Sequence, residues 1–409
     1  MNAARAPLKP LDDALAELLQ CATVLDGVET VSTFEADGRV LAQDLVSALQ
    51  VPPSDNSSMD GYAVRCAEVS PAPVTLPVSQ RIAAGGHGAL LAPFSVARIF
   101  TGAPIPPGAD AVVMQEDCEL LADGSVRVQS VPVQGQWIRR AGEDVTRGAV
   151  VLSKGERITP AALGLAASIG MATLPVVRRP RVALFSTGDE LVMPGAVAPE
   201  QMKPGAIYNS NRFFLRALLL RLGCEVSDLG IVPDRLDATV AALGSAAKDH
   251  DLILTSGGVS VGEEDHIRPA VQSLGSLDLW QIAIKPGKPF AYGRVQNAHF
   301  IGLPGNPVSS FVTFLLLVRP FLLTLQGVSQ VAINSIAIRA DFTWARADKR
   351  REFLRARRNT AGGLDLFANQ SSGVLTSAVW GDGLVDVPAG QTIAFGDVVR
   401  FIPFSELLG

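Results

Sequence analysis

Five groups of polar and glycine residues follow apolar runs in the second half of the chain. They span residues 186–190, 233–234, 255–260, 285–289 and 303–307, and they combine hydroxyls, carboxylates, lysines and glycines. Glycines allow a phosphate to approach backbone N–H groups, and a helix N-terminus adds a positive dipole. Each group alone is weak evidence, because an SGG turn is more often a plain strand-to-helix connection. Together, at successive strand ends, they indicate a site for an anionic, phosphate-bearing ligand.

The charged side chains in these groups point to a metal and to a bound anion. Carboxylates beside a phosphate site usually accompany a divalent cation, and Lys285 and Lys288 can neutralise phosphate or oxyanion charge. Lys288 fits a solvated surface turn equally well. No GxxxxGK[ST] or GxGxxG motif occurs, so an ordinary NTPase or dinucleotide enzyme is disfavoured. We expect the ligand to contact Ser256, Gly257, Gly258, Lys288, Pro304, Gly305, Asn306 and Pro307.

The first half of the chain contributes three shorter groups. Asp60 precedes Gly61 in SSMDGYAV, Thr101 opens TGAP, and Asp144 lies in AGEDV. An Asp-Gly pair is typical of a β-turn, and Asp144 fits a residue that caps a turn. On local chemistry alone, a structural role and a functional role are equally open at these positions.

The hydrophobic pattern indicates which elements position these residues. Residues 179 to about 326 alternate buried strands and capped helices, which is the rhythm of a parallel sheet with helices on both faces. The run Ile282-Ala283-Ile284 predicts one of its strands. We therefore expect Lys285 at the carboxyl edge of the sheet, where ligands bind. Residues 51–136 carry many short apolar runs between Pro and Gly, which is typical of an all-β module.

We therefore predict a multidomain fold of the α/β plus β class. An amphipathic helix begins near Pro10. The four expected parts are a discontinuous helical and linker domain (1–50 and 137–178), a β-rich module (51–136), a central three-layer parallel α/β domain (179–326) and a small C-terminal β domain (327–409).

Composition disfavours several classes of protein. The 409 residues are 48% hydrophobic and 18% charged, which suffices for several cores and argues against disorder. A net charge of −5 and 6% aromatic residues disfavour nucleic acid and anionic membranes as partners. Arg319 and Pro320 interrupt the apolar run Phe311–Val318, which predicts a buried helix and not a membrane span. Four widely spaced cysteines without CxxC, and an N-terminus without the pattern of a leader, favour a reducing cytoplasm.

Eight motifs occur in an order that resembles a known family. They are SSMDGYAV, IFTGAPIPPGADAVVMQED, AGEDV, LFSTGDEL, IYNSN, SGGVSVGEED, IKPGKPFAYG and GLPGNPVSSFVTF. Together they resemble the molybdopterin molybdenumtransferases, the MoeA and gephyrin E-domain family, over essentially the whole chain. STGDEL and the SGG turn are shared with molybdopterin adenylyltransferases. The resemblance therefore implies that the central domain is adenylyltransferase-like and that the C-terminal domain is β-barrel-like.

The resemblance also implies an activity, a metal and an assembly. The implied reaction inserts molybdate into adenylylated molybdopterin, releases AMP and yields molybdenum cofactor, with Mg²⁺ as the expected metal. The implied assembly is an elongated homodimer in which the β-rich module of one subunit covers the α/β cleft of the other. Molybdopterin adenylyltransferase and molybdoenzyme chaperones are further candidate partners.

The functional residues of the family match positions along the whole chain. The resemblance implies catalytic roles for Asp60, Thr101, Asp144, Glu190, Asp234, Asp265 and Lys285, and metal binding by Glu190, Asp234 and Asp265. It also implies that Pro304 and Pro307 shape a loop and that Arg355 faces the cleft. Three positions depart from the family pattern: Arg235 where a second acid is common, His266 where an aromatic residue is common, and Gln281 where some members have a basic residue.

Two alternatives to a molybdenum-inserting enzyme stay open. One is a scaffold of gephyrin E-domain type without turnover, which the absence of a long linker or a fused adenylyltransferase domain disfavours. The other is a tungsten-inserting paralogue. The sequence does not distinguish it from a molybdenum-inserting enzyme, because molybdate and tungstate are nearly equal in size and charge.

Overall fold

A computed structural model describes residues 8–258 and 266–408 of the chain. The α-helices are α1 (Leu11–Gln20), α2 (Pro160–Ser168), α3 (Asn211–Arg221), α4 (Leu236–Asp249), α5 (Ile267–Leu274), α6 (Pro307–Thr313), α7 (Arg319–Leu325), α8 (Thr376–Trp380) and α9 (Phe404–Leu408). The strands up to residue 178 are β1 (Val28–Ser32), β2 (Leu45–Val46), β3 (Asn56–Ser57), β4 (Gly61–Val64), β5 (Val74–Ile82), β6 (Val96–Ile99), β7 (Ala111–Met114), β8 (Cys118–Leu120), β9 (Ser125–Val128), β10 (Ile138–Arg139), β11 (Val150–Leu152) and β12 (Thr173–Val177). The later strands are β13 (Arg181–Thr187), β14 (Leu191–Val192), β15 (Ile207–Tyr208), β16 (Glu225–Val232), β17 (Leu252–Ser256), β18 (Gly275–Gln281), β19 (Ile284–Lys285), β20 (Pro289–Val295), β21 (Ala298–Leu303), β22 (Ile336–Ala340), β23 (Arg351–Arg358), β24 (Gly363–Leu366), β25 (Gly383–Val387) and β26 (Val398–Pro403).

The N-terminal helical part joins two distant stretches of the chain. β1 pairs antiparallel with β12, and β2 pairs antiparallel with β11. Leu41 and Leu174, which are 133 residues apart, consequently lie in one apolar core. Helix α2 begins after Thr159, whose hydroxyl accepts a hydrogen bond from the backbone N–H of Ala162, as the Thr-Pro pair predicts.

The module between these stretches is built on one six-stranded sheet. Its strand order is β7-β4-β6-β5-β9-β8, with β5 and β6 parallel and the other pairs antiparallel. The two faces of β4 enter different cores, because Tyr62 and Val64 pack in one and Ala63 packs in the other. The module meets the helical part where β3 pairs with β10, with Asn56 opposite Arg139.

The central domain has the predicted three layers. Its sheet has the order β16-β13-β17-β21-β20-β18, and the first four strands run parallel. Along β13, Val182 and Leu184 pack in the core that contains α3, α6 and α7, whereas Ala183 and Phe185 pack in the core that contains α4 and α5. This alternation places helices on both faces of the sheet.

The sheet is mixed, which corrects one expectation from the sequence. β20 runs antiparallel to β21, and β18 runs antiparallel to β20. The expected strand before Lys285 is not part of this sheet, since β19 pairs in parallel with β23 of the C-terminal domain. The seven-residue ladder between β18 and β20 leaves Ile282–Lys288 outside, and these residues reach the neighbouring domain.

The C-terminal strands close on themselves. β23, β24, β22, β26 and β25 pair in that order, and β25 also pairs with β23. A sheet whose last strand pairs with its first is a barrel, as the resemblance implied. Phe401, Leu354 and Leu364 fill its core.

The most apolar helix of the described chain is a core helix. α6 and α7 are joined by a π-helical turn, Phe314–Val318, and together they span Pro307–Leu325. This segment is long and apolar enough to cross a membrane, but 83% of its apolar window is buried within the protein. Its apolar residues therefore face protein, as the interrupted run predicts.

Candidate functional site

A cavity of about 640 Å³ lies at the carboxyl ends of three parallel strands, β13, β17 and β21. Its walls include six of the predicted contact residues and one predicted metal ligand: Ser256, Gly257, Pro304, Gly305, Asn306, Pro307 and Glu190. Gly373, from the C-terminal domain, closes one side. The structure therefore brings together side chains from groups that are up to about 120 residues apart in sequence.

The glycines after β17 are required by the close approach of neighbouring elements. Gly257 and Gly258 have φ values of +92° and +67°, which disfavour other residues. A Cβ atom at Gly258 would lie 2.5 Å from Ile267 Cγ1 and 2.9 Å from Thr187 Oγ1. The N–H of Gly257 donates to the carbonyl of Leu303 at 3.1 Å. The turn thus lies directly against the ends of β13 and β21.

Asn211 holds two walls of the cavity together, a role that we did not assign from the sequence. Its Nδ2 donates to Ser256 Oγ at 2.8 Å and to the carbonyl of Gly305 at 2.7 Å. Asn211 is buried and is the first residue of α3. The motif IYNSN carried the signal, since two asparagines between a strand and a helix could have been expected to reach the neighbouring strand ends.

Several buried polar atoms around the cavity have no partner among the described residues. They are Asn209 Nδ2, Ser186 Oγ and Thr255 Oγ1, and Asn209 lines the cavity itself. Buried donors without a partner are costly, and in native proteins they usually bond to water or a ligand. Together with the N-terminus of α3, these groups suit a bound anion.

The predicted metal ligands are described only in part. Glu190 is exposed on the cavity wall, and the backbone N–H of Asp234 lies 3.4 Å from Asp189 Oδ1, so the acids after β13 and β16 are neighbours. Asp265 lies outside the described residues. Within residues 8–258 and 266–408, no three His, Cys, Asp or Glu side chains are arranged to hold a metal. The carboxylates of Glu190 and Asp234 have no cationic partner within ion-pair distance in that same part of the chain, which fits oxygen ligands of Mg²⁺.

The structure places Lys285 differently from our expectation. Its Nζ lies 2.8 Å from Glu352 Oε1 and 3.3 Å from Asp348 Oδ2, both in the C-terminal domain. The ammonium therefore joins two domains by ion pairs and does not stand at the edge of the central sheet. Neither Lys285 nor Lys288 lines the cavity, and Lys288 has no ion pair within the described ranges.

Arg355 does not face the cleft, which corrects the prediction. Its side chain is 1% exposed. The guanidinium donates to Ser377 Oγ and to the carbonyls of Phe353 and Ser371, at 3.0 to 3.3 Å. Burial lowers the pKa of Arg355 to about 10. Through Ser371 it supports the chain segment that leads to Gly373 on the cavity wall.

Two of the three predicted residues in the first half of the chain are in direct contact. Asp60 Oδ1 accepts hydrogen bonds from the N–H of Thr101 at 2.8 Å and from its hydroxyl at 2.7 Å. The backbone bond, followed by the hydroxyl, lowers the pKa of Asp60. Asp144 is exposed on another loop, where its N–H donates to the carbonyl of Val51. None of the three lines this cavity.

The three departures from the family pattern lie at element boundaries. Arg235 is exposed and pairs with Asp237 at 2.5 Å. His266 precedes α5 without a side-chain capping bond, and Gln281 ends β18. None of them lines the cavity, so their effect on substrate contacts stays a prediction.

Three family models match consecutive parts of the chain. The MoeA N-terminal region (domain I and II) matches residues 9–170, the "Probable molybdopterin binding domain" matches residues 183–324, and the MoeA C-terminal region (domain IV) matches residues 337–404. The cavity lies mainly within the second of these regions.

Curated proteins and solved structures resemble the chain over most of its length. A molybdopterin molybdenumtransferase of Haemophilus influenzae is 44% identical over 327 residues, which is 78% of each chain. Molybdopterin molybdenumtransferase 2 of Mycobacterium tuberculosis is 39% identical over 374 residues, 88% of this chain and 90% of the relative. A crystal structure of the molybdopterin biosynthesis MoeA protein from Pyrococcus horikoshii superposes with a TM-score of 0.85 at 28% identity, covering 97% of this chain and all of that one.

Proposed function

We propose that this chain, which belongs to the molybdopterin molybdenumtransferase family, inserts molybdenum from molybdate into adenylylated molybdopterin with release of AMP. The observation that supports this most directly is the cavity at the ends of β13, β17 and β21. It combines glycine turns, the N-terminus of α3 and buried donors without partners, which are the groups that bind phosphate.

The chain's own residues bind and orient the phosphate-bearing substrate. The turn Ser256–Gly258 lets the substrate approach backbone N–H groups, and Asn211 holds that turn against Gly305. The side-chain amide of Asn209 and the backbone N–H of Asn211, the first residue of α3, provide donors for the phosphoanhydride oxygens. In the reaction, water cleaves the phosphoanhydride and AMP leaves. The dithiolene sulfurs of molybdopterin then replace oxygen of molybdate, which leaves with the thiol protons as water.

We propose that the activity depends on Mg²⁺. Glu190 and Asp234 would hold the ion, together with Asp265 from outside the described residues. Its chemistry would be to offset negative charge on the phosphoanhydride. Glu190→Gln should therefore raise the Mg²⁺ concentration that gives half-maximal AMP release, while Glu200→Gln, a change at an exposed residue outside the cavity wall, should leave it unaltered.

The proposed activity is tested with purified protein, adenylylated molybdopterin and Mg²⁺. AMP release is followed with molybdate, with tungstate and without either anion. AMP release that depends on molybdate supports the proposal, and release that depends on tungstate alone assigns the chain to tungsten insertion. No anion-dependent release from a folded sample would favour the scaffold alternative.

We also propose that the chain acts as a homodimer with a shared site in the cytoplasm. This proposal would explain why Asp60 and Thr101, although paired, do not line the cavity of their own subunit. Asp60→Asn and Asp234→Asn subunits, coexpressed with different tags and purified as mixed dimers, should recover part of the activity that each variant lacks. Mixed dimers as inactive as the parents would contradict a shared site.

A further inference from the structure

Two arginines lie side by side on the sheet of the β-rich module. Arg81 of β5 and Arg98 of β6 are in register, so their side chains leave the same face of the sheet as direct neighbours. Tyr62 of β4 is opposite Arg98 on its other side. The row Arg81, Arg98 and Tyr62 therefore crosses three neighbouring strands.

Both guanidinium groups stack on one aromatic ring. The Cζ atoms of Arg81 and Arg98 lie 4.5 Å and 4.7 Å from the ring centroid of Phe100, and Arg98 Cζ lies 5.1 Å from that of Tyr62. Stacking of this kind orients a guanidinium and leaves the N–H groups at its edge free. The two cations are thus held in place by apolar surfaces.

Neither arginine has a carboxylate in direct contact in the described part of the chain, although Asp60 is close enough for Arg98 to contribute, after the hydrogen bonds that Asp60 accepts, to the lowering of its pKa. Within the described ranges 8–258 and 266–408, no acid lies within ion-pair distance of Arg81 or Arg98. Arg98 donates to the carbonyl of Gly61 at 3.2 Å and to Gln115 Oε1 at 2.7 Å, both uncharged. Like charges directly opposite each other destabilise a sheet. Two adjacent cations without an ion-pair partner suit an anion that binds between them.

The pair adjoins residues that the family resemblance assigns to function. Gly61, whose carbonyl accepts from Arg98, directly follows Asp60, and Phe100 directly precedes Thr101. Arg98 consequently contacts the turn that places Asp60 against Thr101. An anion at the arginine pair would lie beside these two residues.

We propose that Arg81 and Arg98 form an oxyanion-binding pair that holds the phosphate of the substrate and of the product AMP. This inference rests on the proposed function. A guanidinium fork matches a tetrahedral oxyanion, and phosphate and molybdate share that chemistry. We assign phosphate because the proposed reaction releases AMP, whose phosphate is such an oxyanion, and a separate titration with molybdate tests the other oxyanion of the reaction.

The test is calorimetric titration of the full-length dimer with AMP and, separately, with molybdate. Arg81→Gln should raise the dissociation constant of AMP about 5- to 10-fold, because an exposed charged contact is lost, and should leave molybdate binding unchanged. Arg81→Lys should recover part of the AMP affinity. The melting temperature of free Arg81→Gln should equal or exceed that of wild type, since a repulsion is removed. In turnover, KM for adenylylated molybdopterin should rise with little change in kcat.

Arg127→Gln is the matched control, since Arg127 is an exposed arginine of the same module that pairs with Glu119 at 2.9 Å. Unchanged AMP binding in Arg81→Gln, an equal loss in Arg127→Gln, or a loss of molybdate binding instead of AMP binding would each overturn the inference. Wild-type protein that binds no AMP would overturn it as well. The titrations measure binding and need no turnover. If the chain fails to release AMP, the proposed function is refuted, but the titrations still show whether Arg81 and Arg98 bind AMP.

Discussion

The ammonium of Lys285 lies 2.8 Å from Oε1 of Glu352, a carboxylate that is almost fully buried. The two residues belong to β19 and β23, which pair in parallel, so backbone and side chains both join the loop after the central sheet to the barrel. Asp348, whose pKa is lowered mainly by Arg350 and also by Lys285, completes the cluster. A residue that the sequence assigns to an anion site is therefore bound to two acids.

Lys285→Gln should destabilise the protein, because it leaves the buried carboxylate of Glu352 without its cation. We expect the free energy of unfolding to fall by about 1–3 kcal/mol, less than for a fully buried pair since Lys285 is 37% exposed. Lys288→Gln, in the same loop and without an ion pair in the described ranges, is the control and should melt like wild type. Denaturant unfolding of both variants measures the difference. If Lys285→Gln has wild-type stability but requires a higher molybdate concentration for AMP release, Lys285 belongs to the anion site and this account is wrong.

Removal of the Asn211 amide should damage the cavity more than the fold. Asn211→Ala loses the bonds to Ser256 and Gly305, and we expect stability to fall by about 1–2 kcal/mol and kcat/KM for AMP release by roughly 10-fold or more. Asn211→Asp keeps the size but faces the Gly305 carbonyl with an oxygen, so it should be worse than alanine. The exposed residue Asn297 serves as control, and Asn297→Ala should change neither quantity. Activity retained in Asn211→Asp would show that the bridge is dispensable.

Thr101→Val should move the acidic limb of the pH–rate profile to higher pH. The hydroxyl of Thr101 stabilises the charged form of Asp60, so its loss raises the pKa of Asp60 towards the ordinary value. If the reaction requires ionised Asp60, the rate then begins to fall at a higher pH than in wild type. Thr101→Ser keeps the hydroxyl and should retain the wild-type profile. If the acidic limbs of the pH–rate profiles of Thr101→Val and wild type coincide, the ionisation of Asp60 does not control the rate.

His299 should make stability depend on pH between about 4 and 6.5. Its pKa is lowered to about 4, chiefly by burial and then by Arg294, and Tyr292 and Asp251 are its other polar neighbours. Between these pH values the unfolded chain binds a proton that the folded chain excludes, so stability falls as pH falls, by up to about 3 kcal/mol, and the loss levels off below pH 4. Thermal melts across this range should be flatter for His299→Gln than for wild type. The exposed residue His87 is the control, and His87→Gln should follow wild type; a His299→Gln curve parallel to wild type would rule out this account.

The sequence by itself determined the local elements and the composition of the site. Apolar runs of strand and helix length predicted the strands β13, β16, β17 and β21 and the core helix. β13, β17 and β21 are almost wholly buried, whereas β16 is an edge strand whose residues are mostly exposed or half-buried. The small and hydroxyl residues after β17 and β21 are required by chain geometry at those ends, and they do line one cavity. The local sequence pattern is sufficient to predict the position of a residue when that position depends only on one strand and the turn that follows it.

Only the tertiary structure decided which domain each charged residue serves. Ile282–Ile284 is apolar enough for a strand of the central sheet, but the antiparallel ladder of β18 with β20 already fills that edge, and β19 pairs with the barrel. Arg355 stands among charged residues in the sequence, which suggests solvent or a cleft. In the structure it is buried on the face of β23 opposite the barrel-core residues Leu354 and Ala356, where Ser377 and two backbone carbonyls accept its hydrogen bonds. The same holds for the pairing of Arg81 with Arg98, 17 residues apart, which arises from strand register. The charge of a side chain follows from the sequence, whereas its partners depend on contacts between elements that are distant along the chain.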